Sequence, residues 1–399
     1  MPSWVLCASR RGLSFRKKLR PFRRTRRAMP ELRILDLPAA PFEAGYHHGR
    51  EAADLIAHNL GVYFDRFQRE ARLSPNEVRG RARRYLPVIE AADPAYADAM
   101  RGAVEGSRLS LDDLAVLNAR YELIYSQYSA INQENAAHVP AGGCTAFAVT
   151  PEASADGHLW LGQNWDWFPQ VRGLVLRAQH PGGFTVAAFT EAGIVGGKIG
   201  MNSAGLGLVI NGLLSHRDDW RRLRTPFHVR TWKLLHAQTL SDAVRIITGE
   251  ERSCSANFLL GQANGRAEVV DLETAPHAAC TLVPSAGLLA HTNHFVDPAA
   301  LQVRQPLAEE KTSTYQRAAR MQHLLKEGRR ARMLHAQGLR SILRDHAGHP
   351  DSVCRHPNPA LPEEERVETV VSVLQDLTAR RMYVAGGTPC LTPYQEIEV

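Results

Sequence analysis

Nowhere in its 399 residues does the chain hold the eighteen or so consecutive apolar residues that a membrane helix needs, so no membrane span is expected. Cysteine is scarce. Six thiols with no Cys-x-x-Cys spacing exclude a dense disulfide framework and a paired-thiol ligand pattern. The glycines at 193, 196, 197, 200, 205 and 207 lack the Lys-Ser/Thr ending of a phosphate-binding loop, and no strand-loop-helix nucleotide signature surrounds them. ATP and dinucleotides are therefore not expected. The helical His-Glu-x-x-His pattern of zinc proteases is also missing. His291 with His294, and Cys354 with His356, read as structural or pocket-lining, His47 and His48 as helix-start residues, and no metal is expected.

Acidic residues are absent from positions 1–28, which hold eight arginines and two lysines. Without those ten charges the formal charge of the chain falls from +7 to −3. The basic balance is thus confined to one end, whereas a nucleic-acid footprint belongs on the folded part, so no nucleic-acid partner is expected. Ser9-Arg10-Arg11 has the start of a twin-arginine signal, but Phe15-Arg16-Lys17-Lys18 stands where its apolar segment should follow. Met29 opens an acceptable start. Residues 1–28 are expected to be an upstream stretch before a later start at Met29, or a disordered tail, with a targeting segment as the third reading, and in each case dispensable for folding. A reducing compartment and a cytoplasmic location are expected.

What is present is a 44% apolar composition able to fill a sizeable core, and a change of texture near the middle. Phe42 to about Ala71 reads helical, and Ser110 caps a second helix whose stripe is Leu114, Leu117, Tyr121 and Ile124. Residues 126–139 show no period and read as an exposed loop. Strands are expected at 144–149, 158–165, 172–179, 184–189 and 206–213, helices at 227–235 and 241–248. Further strands follow at 257–260, 267–272 and 288–292, then a helix over 313–327 and a hairpin from 367–377 and 381–385. Pattern alone gives a mixed α and β chain.

The chemistry concentrates at Gly142-Gly143-Cys144, which opens the alternating run Thr145-Ala146-Phe147-Ala148-Val149, and at Gly162-Gln163-Asn164-Trp165-Asp166 shortly after. A thiol that begins a strand behind residues without side chains can attack the carbonyl before it. Cleavage there would make Cys144 a new chain's first residue, and its α-amino group, with a pKa of about 7.7 to 8 against about 8.5 for the thiol, could take the thiol proton without a histidine. Gly143, lacking Cβ, allows the close approach.

This stretch resembles the self-processing site of the acyl-coenzyme A:6-aminopenicillanic acid acyltransferase family, within the N-terminal nucleophile hydrolases. Further matches follow in order: Gly200 to Gly205 leading to Asn211, Ser255-Ala256-Asn257-Phe258, His291-Thr292-Asn293-His294-Phe295, Ser313 to Arg317, and Cys354-Arg355-His356. The resemblance runs from about Phe42 to the C-terminus. It implies an α+β fold, a four-layer αββα sandwich, with residues 29–143 a helical segment that becomes a separate chain after self-cleavage and 144–399 the catalytic chain of the same domain. It also implies that Asp166 lies near the nucleophile and orients the new ammonium group.

Asn293 and Asn211 are the candidates for stabilising an oxyanion, since an amide donates a hydrogen bond without titrating, and Asn257 stands behind them. Arg317 shares a helix face with Met321 and Leu324, so its guanidinium points inward and must be paired, by Asp166, by a substrate carboxylate or by another acid. The function expected is a self-processing amidase or acyltransferase acting on C–N bonds of small amides through a thioester. An acyl-coenzyme A-dependent transferase is the alternative, with the thioester a co-substrate rather than a cofactor. A non-catalytic binding protein on the same fold and a conventional cysteine protease are readings from other classes. The partners expected are a small amide or acyl substrate and the chain's own N-terminal fragment.

Overall fold

Side-chain alternation decides how the centre of the chain is buried. Cys144, Ala146 and Ala148 belong to one apolar cluster and Phe147 and Val149 to another, the period of two required of a strand covered on both faces. The computed structural model describes residues 32–134, 143–180, 183–305 and 313–399. Within them β1 (Ile34–Leu37) precedes α1 (Pro41–Glu51), α2 (Ala53–Ala71), α3 (Pro75–Arg83), α4 (Leu86–Ala92), α5 (Pro94–Ser107), α6 (Leu111–Asn118) and α7 (Arg120–Glu134). Next come β2 (Gly143–Val149), β3 (Trp160–Trp167), β4 (Gly173–Gln179), β5 (Thr185–Glu191), β6 (Ile199–Asn202) and β7 (Leu206–Gly212). The rest of the chain forms α8 (Phe227–Leu235), α9 (Leu240–Thr248), β8 (Ala256–Asn264), β9 (Arg266–Ala275), β10 (Ala278–Leu282), β11 (Leu288–His291), α10 (Ser313–Arg330) and α11 (Ala336–Leu343). It closes with β12 (Glu368–Asp376), β13 (Arg381–Ala385) and β14 (Gln395–Glu398).

The strands build an eight-stranded sheet, in the order β1-β4-β5-β6-β7-β8-β9-β10, and a six-stranded sheet, β11-β2-β3-β12-β13-β14. Side-chain amides tie the layers together because each satisfies a backbone group that would otherwise be buried without a partner. Between the sheets, Gln163 takes the Ile210 N–H at 2.9 Å and donates to the Ile210 carbonyl, while Gln375 donates to Leu208 O at 3.0 Å. On the outside, Asn202 donates to the carbonyls of Leu235 and Ala237 at the end of α8, each at 2.9 Å. Asn164 does the same to Leu343 at the end of α11 and to Val353, each at 2.8 Å. Helix, sheet, sheet, helix is the four-layer sandwich the resemblance implied.

In the helical segment, α1 and α5 pack backbone to backbone. A Cβ on Gly45 would fall 1.8 Å from Ala99 O and one on Gly102 would fall 2.0 Å from Phe42 O, so only hydrogen fits at this crossing. Ser110 and Asp113 form a reciprocal capping box at the start of α6, as do Ser74 and Glu77 at α3, each worth about 1 kcal/mol.

Three expectations need correction. The helix read from Ser110 through Ile124 is two helices, with Ala119 between them out of helical geometry (φ −109°, ψ 11°). The helix read across 42–71 is two helices, with Ala52 between them out of helical geometry (φ −119°, ψ 18°). The loop read across 126–139 is helical as far as Glu134, and residues 135–142 lie outside the described residues. Its start lacks an apolar stripe because polar side chains are buried there with partners: Ser129 donates to Ser215 O at 2.7 Å, and Arg66 donates to the Tyr128 hydroxyl at 3.4 Å.

Candidate active site

β2 and β3 run antiparallel with Gly143 opposite Asp166 and Cys144 opposite Trp165. Alternation along β2 turns Cys144 toward the eight-stranded sheet and Thr145 toward α10, where it accepts a hydrogen bond from Arg317 at 2.9 Å. Gly143 and Asp166 share that outer side. A Cβ on Gly143 would lie 2.8 Å from an Arg355 Nη1, 3.0 Å from an Arg317 Nη2 and 3.2 Å from Asp166 Oδ2. Three charged groups therefore converge on the residue before the cysteine.

The peptide groups around Cys144 are held on both edges. Its N–H donates to Asn293 Oδ1 at 2.5 Å, and its carbonyl accepts from Arg317 Nη1 at 2.6 Å. Arg317 Nη2 also donates to Asn293 Oδ1, at 3.0 Å, so two donors meet that atom and it is the oxygen. The amide nitrogen of Asn293 donates to Gly212 O at 3.1 Å, and its backbone N–H is anchored by Thr314 Oγ1 at 2.9 Å. Asp166 accepts from Thr369 Oγ1 at 2.8 Å through one oxygen, and its other oxygen, the one facing Gly143, has no hydrogen-bond partner.

These surroundings set the protonation states. Burial pushes the Cys144 thiol up to about 11, the Asp166 charge adds to that, and Arg317, the Asp166 backbone N–H and the Asn293 amide oppose it. Such a thiol stays protonated at neutral pH and needs a base beside it to react. Burial raises Asp166 to about 6 against the pull of Arg317, Arg355 and Thr369, and lowers Arg317 to about 10.

A cavity of about 20 Å3 touches Cys144, Asn293, Tyr125, Trp165, Lys198 and Arg120, among others. That is room for about one water and for no substrate. One wall of this cavity is a buried ion cluster. Glu191 is gripped by Arg120 and Lys198 and accepts the Tyr63 hydroxyl. Burial alone would raise Glu191, but Arg120 and Lys198 hold it well below the usual carboxylate range. Lys198 itself, with its ammonium 3.3 Å from the centre of the Trp165 ring, is lowered to about 7 by burial. A cavity of about 550 Å3 bordered by Pro41, His180, Trp232 and His236 shares no residue with the one at Cys144.

The structure brings four of the five expected site residues together: Cys144, Asp166, Asn293 and Arg317 lie around one peptide. Arg317 meets neutral oxygens at hydrogen-bond range and feels Asp166 as a nearby charge. Asn211 stands one layer back. It donates to His291 O at 3.5 Å and accepts from Asn257 at 3.3 Å, and neither amide borders the cavity. Sequence reasoning gave no role to Arg355, Thr369, Lys198 or Arg120. Arg355 stood inside the Cys-Arg-His motif, and Lys198 as a lone cation in a glycine-rich apolar run was also a readable signal.

Comparison with known proteins bears on the same region. The family model of acyl-coenzyme A:6-aminopenicillanic acid acyl-transferase matches residues 153–390. The chain belongs to this family. It is 27% identical over 359 residues to the acyl-coenzyme A:6-aminopenicillanic-acid-acyltransferase 40 kDa form of Emericella nidulans, covering 88% of this chain and 91% of that protein. It is 24% identical over 261 residues to an uncharacterized protein of Archaeoglobus fulgidus, 58% of this chain and 42% of that protein. Among solved structures, an N-acylethanolamine-hydrolyzing acid amidase ortholog from Caenorhabditis elegans aligns at a TM-score of 0.44 and 15% identity, over 59% of this chain and 93% of that one. Penicillin V acylase from Agrobacterium tumefaciens aligns at 0.44 and 13%, over 64% and 86%. Membership in a family named for acyl transfer supports an enzymatic role for the chain. The family match begins after Cys144, so the case for that residue rests on the geometry of β2 and β3.

Proposed function

We propose that the chain cuts itself between Gly143 and Cys144, and that the cysteine so exposed cleaves C–N bonds of small amides through a thioester. The observation that carries the proposal is the clamp on Cys144: its N–H on Asn293, its carbonyl on Arg317, and a preceding residue that only glycine can occupy without shifting charged groups.

In self-processing, the Cys144 sulfur bonds to the Gly143 carbonyl carbon, the Gly143–Cys144 C–N bond breaks, and the thiol proton ends on the new amine. Water then splits the thioester and releases Gly143 as a carboxylate. In turnover, that amine takes the thiol proton, sulfur attacks the substrate carbonyl, and the leaving amine is protonated as it departs. The Asn293 amide, which borders the same cavity as the sulfur, would face the tetrahedral oxygen, with Asn211 and Asn257 supporting from behind. Asp166, across from Gly143, would hold the ammonium form. Departure of Gly143, which lines the cavity, would open space for substrate.

Water and an amine are both competent to take the acyl group. Hydrolysis is favoured because water is the abundant acceptor, and a coenzyme A thioester would be the acyl donor for transfer. Intact mass and N-terminal sequencing of purified protein test the processing: two associated chains, the second beginning at Cys144, are expected, with Cys144→Ala uncut. An active protein that remains one full-length chain would overturn it. Trapping a mass increment on Cys144 with small N-acyl amides, with and without coenzyme A, tests the chemistry and separates hydrolysis from transfer.

A further inference from the structure

Well apart in sequence from β2, four side chains meet at one point. His346 and Cys354 lie on the segment after α11, His356 follows two residues on, and Cys390 sits between β13 and β14. One potential ligand atom from each lies within 4.8 Å of all the others. We propose that these four residues bind one zinc ion, which pins two irregular segments of the chain to each other.

The distances carry the case. His356 Nε2 is 3.1 Å from His346 Nε2, 3.4 Å from Cys390 Sγ and 3.8 Å from Cys354 Sγ. A tetrahedral zinc with bonds of roughly 2.05 Å to nitrogen and 2.3 Å to sulfur puts neighbouring ligands roughly 3.3 Å apart for two nitrogens and roughly 3.5 Å for nitrogen and sulfur. The three distances fall within a few tenths of an ångström of those edges. Hydrogen bonding is a poor substitute, because Nε2 of an imidazole offers either one N–H or one lone pair and can serve only one of its three neighbours. An ion at the centre serves all four.

The donor set also selects the ion. Two thiolates and two imidazoles in a closed tetrahedron suit zinc, and the two thiolates balance its charge. Both cysteines are free thiols. The ligand backbone is held in place: Cys354 N–H donates to Asp345 O at 2.9 Å, His356 N–H to Pro350 O at 3.0 Å, and Ser352 Oγ to Cys354 O at 2.6 Å. His346 is exposed, which gives the ion a way in. This departs from the structural role that the sequence suggested for Cys354 and His356, and the reason is topological. No local motif records that residues 346 and 390 come to the same point.

The site has a consequence for the rest of the molecule. Arg355 lies between two of the ligands, and its Nη1 is the group that a Cβ on Gly143 would meet first. Thr369, which donates to Asp166, also takes the Arg355 N–H at 2.9 Å. Zinc would thus brace the loop that brings a guanidinium to the end of β2, while taking no part in the bond-breaking steps.

The test is metal analysis of the full chain, expressed without a histidine tag in zinc-supplemented medium and dialysed against metal-free buffer. About one zinc per chain is expected. It should persist in Cys144→Ala and Cys280→Ser, fall at least tenfold in His346→Ala and Cys390→Ser, and be released by thiol modification into a colorimetric chelator. Strong chelation should lower the Tm by several degrees, with zinc restoring it. Because His346 is exposed, His346→Ala keeps the test available if Cys390→Ser fails to fold. Protein with less than about a tenth of a zinc per chain under these conditions, zinc retained in His346→Ala, or a mass showing Cys354 joined to Cys390 would each overturn the proposal.

Discussion

The side-chain oxygen of Asn293 accepts the backbone N–H of Cys144 at 2.5 Å, and the nitrogen of the same amide donates to Gly212 at 3.1 Å. One side chain thus links the first residues of β2 to the end of β7 in the facing sheet. Its position permits two roles, holding the peptide before cleavage and facing the oxyanion afterwards. In fully cleaved enzyme, Asn293→Ala is expected to lower kcat by roughly 100- to 1,000-fold, about 2.7 to 4 kcal/mol, with KM little changed. Asn257→Ala, whose residue stands behind Asn211, should cost much less. A near-normal kcat in the first variant with a large loss in the second would move the role to Asn257.

Gly143 should matter once only. A methyl group there would press on Arg355, Arg317 and Asp166, yet residue 143 leaves with the N-terminal fragment in the proposed reaction. Gly143→Ala is therefore expected to slow self-cleavage at least tenfold, measured by the appearance of the two chains in time. The fraction that has been cut should turn over amide at the wild-type rate. Equal losses in processing and turnover would show that the crowding around residue 143 acts on folding instead.

Much of this site was legible in the sequence because it is written in adjacent residues. Gly143-Cys144 and Trp165-Asp166 sit on neighbouring strands whose alternation could be read directly, and their pairing in register is what brings cysteine and aspartate to one place. Arg317 was legible from helical spacing, which turned it inward with Met321. Its partners were not, since two of them are a carbonyl and a hydroxyl on β2, more than 170 residues away, and the third, the Asn293 amide oxygen, is on the loop after β11. Burial by polar contacts hides an element in the same way. The second half of α7, from residue 126 on, shows no clear apolar period because polar groups such as Ser129 and the Tyr128 hydroxyl are paired inside the fold. The Cys354-His356 pair was visible in the sequence, but nothing local showed that His346 and Cys390 meet it.

Arg317 is the group whose loss the precursor should tolerate least. It is buried and supplies donors to Cys144 O, Thr145 Oγ1 and Asn293 Oδ1. Arg317→Met fills similar space and leaves buried acceptors without that donor, at about 1 to 3 kcal/mol for each one left unsatisfied. In a Cys144→Ala background, which keeps a single uncut species, a loss of roughly 2 to 5 kcal/mol in denaturant unfolding is expected. A loss under about 0.5 kcal/mol would mean that water replaces the guanidinium at no cost, and would remove Arg317 from the clamp.

Asp166 sets the last expectation through the pH dependence of stability. Burial raises its carboxyl to about 6 in the folded chain, against about 3.9 when unfolded. Between those values the folded state binds more protons than the unfolded one, so the stability associated with the protonated carboxyl is present below about pH 4 and lost as pH rises through about 6. Asp166→Asn keeps the neutral shape and removes the titration. Measured in the Cys144→Ala background, the variant should gain on its parent as pH rises from 4 to 6.5, by at most about 3 kcal/mol, and the difference should then level off. Other groups, such as the buried Asp218 and Asp271 at about 6, buried His48 at about 4 and half-buried His294 at about 4, titrate in both proteins and cancel from the comparison. A difference that is flat across this range, or that turns against the asparagine as pH rises, would show that Arg317 and Arg355 hold the carboxylate ionised in spite of its burial. Asp166 would then have its full charge opposite Gly143 even in mildly acidic solution.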